Sequence, residues 1–146
     1  MLLQIALGSG LLVLNVLVMA IAALLLESGF RAAHPWLISP PQIPKLLLML
    51  VAVGIWVLAV LTVNIWIWAY VLFEIGVFKS MEESLYYAIE AFSTLGLGDV
   101  VPSQEWRIFA VMAAVNGLLS FGLMTALLVE ALRQVRLAQL EMRHKG

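Results

Sequence analysis

A short segment with alternating glycines is the part of this sequence best suited to binding an ion. Residues 94–99 read T-L-G-L-G-D, and Gly96 and Gly98 can adopt positive φ without a Cβ clash. Neighbouring carbonyls can then turn to the same side, which an ordinary extended strand forbids. Four copies around one axis would present rings of oxygen that replace the water around a dehydrated cation. The candidate ion-binding residues are Thr94, Leu95, Gly96, Leu97 and Gly98, and the Thr94 hydroxyl adds a further ring.

The composition is that of an integral membrane protein. Of the 146 residues, 64% are hydrophobic and 12% are charged, and this balance does not describe a soluble domain. The absence of cysteine excludes disulfides, thiolate metal sites and cysteine nucleophiles. A formal net charge of -1 gives no indication of nucleic-acid binding. We therefore expect neither an enzyme nor an organic cofactor.

Three stretches are long and apolar enough to cross a bilayer, which takes about 20 residues per helix. The stretch from Ser84 to Ser93 is too short to cross, and we expect a re-entrant helix whose C-terminal dipole favours a cation. The first long stretch is interpreted as a retained helix and not as a signal peptide, because no Lys or Arg precedes it. The three predicted spans are Leu2 to Leu26, Lys45 to Phe73, and Arg107 to Val129.

The distribution of basic residues predicts the orientation of these spans. Basic residues are concentrated in the first loop and the C-terminal tail, and only Lys79 and Arg107 lie between the second and third spans. The positive-inside rule then places that loop and the tail in the cytoplasm, with the N-terminus and residues 94–99 outside. The basic residues on the predicted cytoplasmic side are Arg31, Lys45, Arg133, Arg136, Arg143 and Lys145.

Prolines predict where the first helix ends. The segment His34-Pro35-Trp36, followed by Pro40, Pro41 and Pro44, indicates a helix break with a restart at Lys45. We therefore divide the chain into four segments. These are a peripheral N-terminal helix packed on the second span, a cytoplasmic connector, a span–loop–span unit and a basic helical tail. The corresponding ranges are 1–27, 28–44, 45–130 and 131–146.

With these elements in order, the stretch from Ser84 to Leu128 resembles the pore module of potassium channels. The filter pattern T-V-G-Y-G-D of that family is matched at Thr94, Gly96, Gly98 and Asp99 and is departed from at Leu95 and Leu97. Leucine in the tyrosine position is similar to the second pore loop of two-pore-domain channels. The stretch from Gly117 to Ala126 is similar to the inner helix of bacterial two-span potassium channels.

The resemblance implies an all-α membrane protein with three transmembrane helices, a re-entrant pore helix and a selectivity filter. It implies a homotetramer that conducts K⁺ passively in a bacterial inner membrane, with K⁺ held at Thr94, Leu95, Gly96 and Leu97. The departures at Leu95 and Leu97 keep a weakly selective Na⁺/K⁺ channel as an alternative. A non-conducting scaffold or regulatory subunit is the alternative from another class.

The resemblance also assigns residues that support the filter. A glutamate matching Glu90 pairs behind the filter with the aspartate matching Asp99, sharing a proton or a water molecule. Tyr86 and Tyr87 occupy the positions of an aromatic cuff. Because Leu97 cannot make the hydrogen bond of the family tyrosine, we expect a filter held by packing alone.

The third span offers residues for gating and for the cavity. Gly117 and Gly122 are either gating hinges or sites of close helix packing, and the sequence leaves both interpretations open. Helical spacing places four side chains on one face that could line the cavity. These are Leu118, Phe121, Thr125 and Leu128. In the tail, anionic lipid is the expected partner of Arg133, Arg136, Arg143 and Lys145.

Overall fold

The computed structural model describes residues 1–39 and 42–145, and every regular element of these residues is an α-helix. Three helices are long and apolar enough to cross a membrane, which confirms the number of spans expected from the sequence. One short helix lies between the last two of them. The elements are α1 (Leu2–Ile38), α2 (Gln42–Glu74), α3 (Met81–Phe92) and α4 (Arg107–Lys145).

The short helix α3 begins one turn earlier than the expected start at Ser84. The Ser80 hydroxyl accepts a hydrogen bond from the Glu83 backbone N–H at 3.1 Å. The Glu83 carboxylate in turn accepts one from the Lys79 N–H at 3.2 Å. The sequence S-M-E-E carries the signal of such a capping box, which the sequence analysis missed. With 12 residues, α3 rises about 18 Å, well short of the ~30 Å hydrocarbon thickness.

The expected helix break at His34-Pro35-Trp36 is wrong, because α1 continues to Ile38 with Pro35 inside it. Proline lacks the backbone donor that would bond to the carbonyl four residues back, and α1 ends within one turn of it, at Ile38. Residues 28–38 therefore belong to α1 and not to a connector. Helix α2 begins at Gln42, ahead of the expected restart, since Pro44 falls in its first turn, where no intrahelical donor is needed. Pro40 and Pro41 lie outside the described residues.

Helix α1 packs against α4 as well as α2, so the expectation that it rests on the second span was incomplete. Leu11 lies in one buried cluster with Trp68 of α2 and Phe109 of α4. The rings of Trp68 and Phe109 are 5.4 Å apart between centroids. Further along, Met19 of α1 lies in a second cluster with Met124 of α4. Each cluster buries apolar side chains from all three long helices. This packing holds α4 behind the loop that follows α3.

Candidate ion-binding segment

Residues 94–99 have the alternating backbone that the sequence predicts. Thr94, Gly96 and Gly98 have φ of 56°, 60° and 76°. Positive φ at every second residue allows neighbouring carbonyls to turn to one side of the chain. Thr94 is the one non-glycine residue with positive φ among those that the structure describes. A left-handed conformation costs a residue with a Cβ roughly 1–2 kcal/mol, so the neighbouring contacts must hold it.

The start of the segment is fixed by the last turn of α3. The Thr94 N–H donates to the Ala91 carbonyl at 3.0 Å, and the Leu95 N–H donates to the Glu90 carbonyl at 3.1 Å. The Ser93 hydroxyl also donates to the Glu90 carbonyl, at 3.1 Å. These bonds satisfy carbonyls that the end of a helix leaves without intrahelical donors. The segment therefore leaves α3 along a defined path.

The far end of the segment is held by the side chain of Glu90. Its Oε1 accepts a hydrogen bond from the Gly98 backbone N–H at 3.0 Å. The residue is only 6% exposed, and within the described residues its Oε2 is buried without a hydrogen-bond partner. One side chain of α3 thus reaches behind the segment and fastens its last glycine.

Asp99 is held by a different partner. Its Oδ2 accepts a hydrogen bond from the Tyr86 hydroxyl at 2.9 Å, and its Oδ1 accepts one from the Val100 N–H at 3.1 Å. Among the described residues Glu90 and Asp99 therefore share no direct hydrogen bond, and their pairing through a water molecule stays a prediction. The hydrogen bond to Asp99 is the largest cause of a raised pKa for the Tyr86 phenol, whose usual value is 10.0.

The two tyrosines of the expected cuff have different environments. Tyr86 lies at the surface beside Asp99, whereas Tyr87 is buried and its ring lies 5.0 Å from that of Phe78. Burial, followed by the nearby charge of Glu90, raises the pKa of Tyr87. The expectation of a segment held by packing alone is wrong, because polar bonds from α3 hold Gly98 and Asp99.

The leucines of the segment have no cover within the single chain. Leu95 and Leu97 are each 62% exposed. A cavity of about 380 Å³ lies between the segment, α3 and α4, and its lining includes Glu90, Gly98 and Val111. The segment is therefore fastened on the α3 side and open toward whatever lies next to it.

Helix α4 approaches the end of α3 most closely at Gly117. A Cβ added there would lie 2.5 Å from the Phe92 Cα, and the Phe92 carbonyl would also clash. Only glycine permits this contact, which favours close packing as the role of Gly117. Gly122 has no such neighbour. Helix α4 is continuous through both glycines, and a hinge at either one stays a prediction.

Three of the four residues expected to line a cavity share the free face of α4. Leu118, Phe121 and Thr125 are exposed, and Leu118 is 67% so. Leu128 is half-buried and packs against the cluster that contains Met49. Ten residues of helix turn Leu128 roughly 80° away from Leu118, toward the buried face. Leu118, Phe121 and Thr125 are thus exposed on one side of α4 and Leu128 is turned away, while a cavity lined by them stays a prediction.

The basic residues of the tail do not share one environment. Two nitrogens of Arg133 donate to the Glu130 carboxylate at 2.8 Å, so this guanidinium is already paired. Arg136 is exposed. The side chains of Arg143 and Lys145 lie outside the described residues, and the expected contact with anionic lipid stays a prediction for the whole set.

The comparisons with known proteins bear on the same part of the chain. A family described as ion channel matches residues 58–134, which are 77 of the 146 residues and so just over half of the chain. The matched range includes α3, residues 94–99, about half of α2 and most of α4, and it leaves α1 out. No curated protein and no solved structure matches the chain.

Proposed function

This chain belongs to the ion channel family, and we propose that four copies of it form a pore that conducts K⁺ passively through residues 94–99. Its three long apolar helices make it an integral membrane protein. The proposal concerns the ion, the filter and the number of subunits. An ion channel needs no chemical step, so the task of the residues is to replace the hydration shell of the ion.

The observation that carries the proposal is the positive φ at Thr94, Gly96 and Gly98. Alternation of this kind lets the carbonyls of residues 94–97 face one axis and leaves the side chains of Leu95 and Leu97 on the other side. The segment follows directly from the C-terminus of α3, where the negative end of the helix dipole favours a cation. Backbone oxygens and a helix dipole are the features that suit a dehydrated monovalent cation.

The proposed homotetramer is supported by the presence of one such segment in each chain. A single segment supplies carbonyls from one side only, and closed four-fold symmetry would complete the ring. The exposed Leu95 and Leu97, and the cavity behind Gly98, would then be covered by the neighbouring subunit. Burial of two leucine side chains would contribute about 1.5–3 kcal/mol each. The free face of α4 with Leu118 and Thr125 would line the space below the filter.

The proposal includes an orientation in the membrane. The short α3 would enter the bilayer from outside and return through residues 94–99, with the N-terminus outside and the basic tail in the cytoplasm of a bacterial inner membrane. It is supported by the basic residues of the tail and by Arg31 and Lys45, which lie near the facing ends of α1 and α2. The exposed acidic residues Glu82 and Glu83, together with Asp99, would raise the cation concentration at the outer mouth.

Selectivity for K⁺ over Na⁺ depends on how firmly the segment keeps its geometry. Leu97 lacks the hydroxyl of the family tyrosine, an observation that favours the weakly selective channel as the second candidate. The hydrogen bonds from the Gly98 N–H to Glu90 and from the Tyr86 hydroxyl to Asp99 act in the opposite sense, since they restrain the outer end of the segment. We propose that they are sufficient for K⁺ preference.

The test is the current through purified protein in planar bilayers with K⁺ on one side and Na⁺ on the other. Gly96→Ala is the informative variant, because its φ is 60° and no other atom of the same chain lies near its missing Cβ, so within one chain the strain comes from the backbone. Gly54→Ala is the matched control, since this glycine lies in α2, also with no atom near its missing Cβ. We expect K⁺ current in the unmutated protein and the control, and its loss in Gly96→Ala. Equal Na⁺ and K⁺ permeability would establish the weakly selective channel. Absence of current under every condition would favour the scaffold.

A further inference from the structure

Three asparagines are buried between the long helices. Asn15 lies on α1, Asn64 on α2 and Asn116 on α4, and each is 0% exposed. They are all the asparagines of the chain. A buried amide is costly unless it is hydrogen-bonded. One fully buried amide on each spanning helix therefore calls for a physical account.

The three asparagines lie at one level of the helix bundle. On α1, Asn15 lies four residues from Leu11 and four from Met19; on α2, Asn64 lies four residues from Val60 and four from Trp68. Leu11 and Trp68 belong to one buried cluster, and Met19 and Val60 belong to another. Each asparagine thus occupies the turn that separates the same two apolar clusters.

Helix α4 follows the same pattern. Ala113 belongs to the first cluster and Met124 to the second, and Asn116 lies between them with the buried Ser120 one turn further on. The Ser120 hydroxyl donates to the Asn116 backbone carbonyl at 2.7 Å, so this hydrogen bond does not involve the Asn116 side chain. A polar layer therefore separates two apolar layers, with a contribution from every long helix.

The polar atoms of this layer do not balance. Asn15 Nδ2 donates to the Leu11 carbonyl and Asn64 Nδ2 to the Val60 carbonyl, each at 2.9 Å and each within its own helix. Among the described residues, the Oδ1 atoms of Asn15 and Asn64 are buried without a hydrogen-bond partner. The Oδ1 and Nδ2 atoms of Asn116 are also buried without one. The layer thus has three acceptor oxygens and one donor amide without partners among the described residues.

We propose that the three asparagines form a hydration site at the centre of the bundle, which binds at least one internal water molecule. A water molecule has two O–H donors and can accept from the Asn116 amide, so it supplies what this group of atoms lacks. The site joins α1 to α4 directly beside Gly117, where α4 packs on Phe92 at the base of residues 94–99. It thereby gives α1 a role in positioning the inner helix.

The first test measures hydration of the unmutated protein. Because the chain has three asparagines and no others, selective ¹⁵N-asparagine labelling gives one side-chain amide signal for each member of the site. In bilayers of lipid with deuterated tails, water-edited solid-state NMR should transfer magnetisation to the Asn116 side chain, although the residue is fully buried. Absence of transfer at all three amides would overturn the proposal.

The second test measures whether the three amides act together. We expect Asn15→Leu, Asn64→Leu and Asn116→Leu each to lower the Tm in detergent, because each leaves the shared water with a missing partner. The triple variant removes the whole polar set, so its loss of Tm should be smaller than the sum of the single losses. Additive losses would show independent amides and contradict a shared site.

Thr62→Val is the matched control for these variants. The Thr62 hydroxyl donates to the Leu58 carbonyl four residues back, as the Asn64 amide does to Val60, but Thr62 is exposed. Its Tm should stay close to that of the unmutated protein, and a loss equal to that of Asn64→Leu would also contradict the site. Both tests are independent of conduction, so the failure of the proposed function would leave their readouts intact.

Discussion

The Glu90 carboxylate accepts a hydrogen bond from the Gly98 backbone N–H at 3.0 Å, so one side chain of α3 fastens the far end of the segment that begins at Thr94. The near end is fastened by carbonyls of the same helix, at Ala91 and Glu90. Both ends of a five-residue stretch thus depend on a single short helix. A shift of α3 would therefore move both ends of the segment and the carbonyls between them.

Removal of the Glu90 carboxylate should release the Gly98 amide. A hydrogen bond to a charged group contributes about 1.5–3 kcal/mol, so Glu90→Ala should raise the hydrogen-exchange rate of the Gly98 amide by roughly 10- to 100-fold. Glu90→Gln keeps an acceptor oxygen and should show a smaller rise. The exchange rate can be followed by NMR of protein with ¹⁵N-glycine. Glu82→Ala, at an exposed position of the same helix, is the control and should leave this rate unchanged.

The Tyr86 phenol should titrate above its usual pKa of 10.0 because Asp99 accepts its hydrogen bond. The phenol donates only while protonated, so the bond is fully present below pH 10 and is lost as the pH rises through the raised pKa. ¹³Cζ-tyrosine NMR measures this titration, and Tyr86→Phe assigns the signal. Asp99→Asn should return the pKa toward 10.0. An unchanged titration in Asp99→Asn would show that the hydrogen bond is not its cause.

Alanine at the two glycines of α4 should have opposite effects. Gly117→Ala places a Cβ against the Phe92 backbone and should cost about 1–3 kcal/mol, measured as a lower Tm. Gly122→Ala meets no atom within the chain and should stabilise the helix by about 0.5–1 kcal/mol. A matched loss of stability in both variants would contradict close packing at Gly117. If Gly122 is a hinge, Gly122→Ala will change the open probability without a loss of Tm.

Bulk at Gly8 should separate α1 from α4. A Cβ at Gly8 would lie 2.9 Å from the Met112 Cε and closer still to its sulfur, whereas Gly10 has open space. Gly8→Leu should therefore lower the Tm, and Gly10→Leu, on the exposed side of α1, should not. Equal Tm values for the two variants would mean that α1 does not pack on α4 as described.

Much of the fold could be predicted from local sequence signals. Length and apolar content predict the three spans, because a helix needs about 20 apolar residues to cross the hydrocarbon region. The glycines at 96 and 98 predict positive φ, since they lack a Cβ. The end of α1 could not be predicted in this way, because a proline usually interrupts a helix, whereas α1 continues for three residues past Pro35.

The tertiary structure decided which partners the polar side chains find. Spacing along the chain placed Glu90, Asp99 and Tyr86 near the segment. It could not show that Gly98 donates to Glu90 and that Tyr86 donates to Asp99, because both hydrogen bonds depend on how residues 94–99 fold back over α3. The close contact of Gly117 with Phe92 likewise depends on the approach of two helices. The sequence by itself determined the membrane helices and the backbone freedom of the segment, which are local properties. Only the packing of α1, α3 and α4 decided the hydrogen bonds that hold the segment and the burial of the three asparagines, because those require residues distant in sequence to meet.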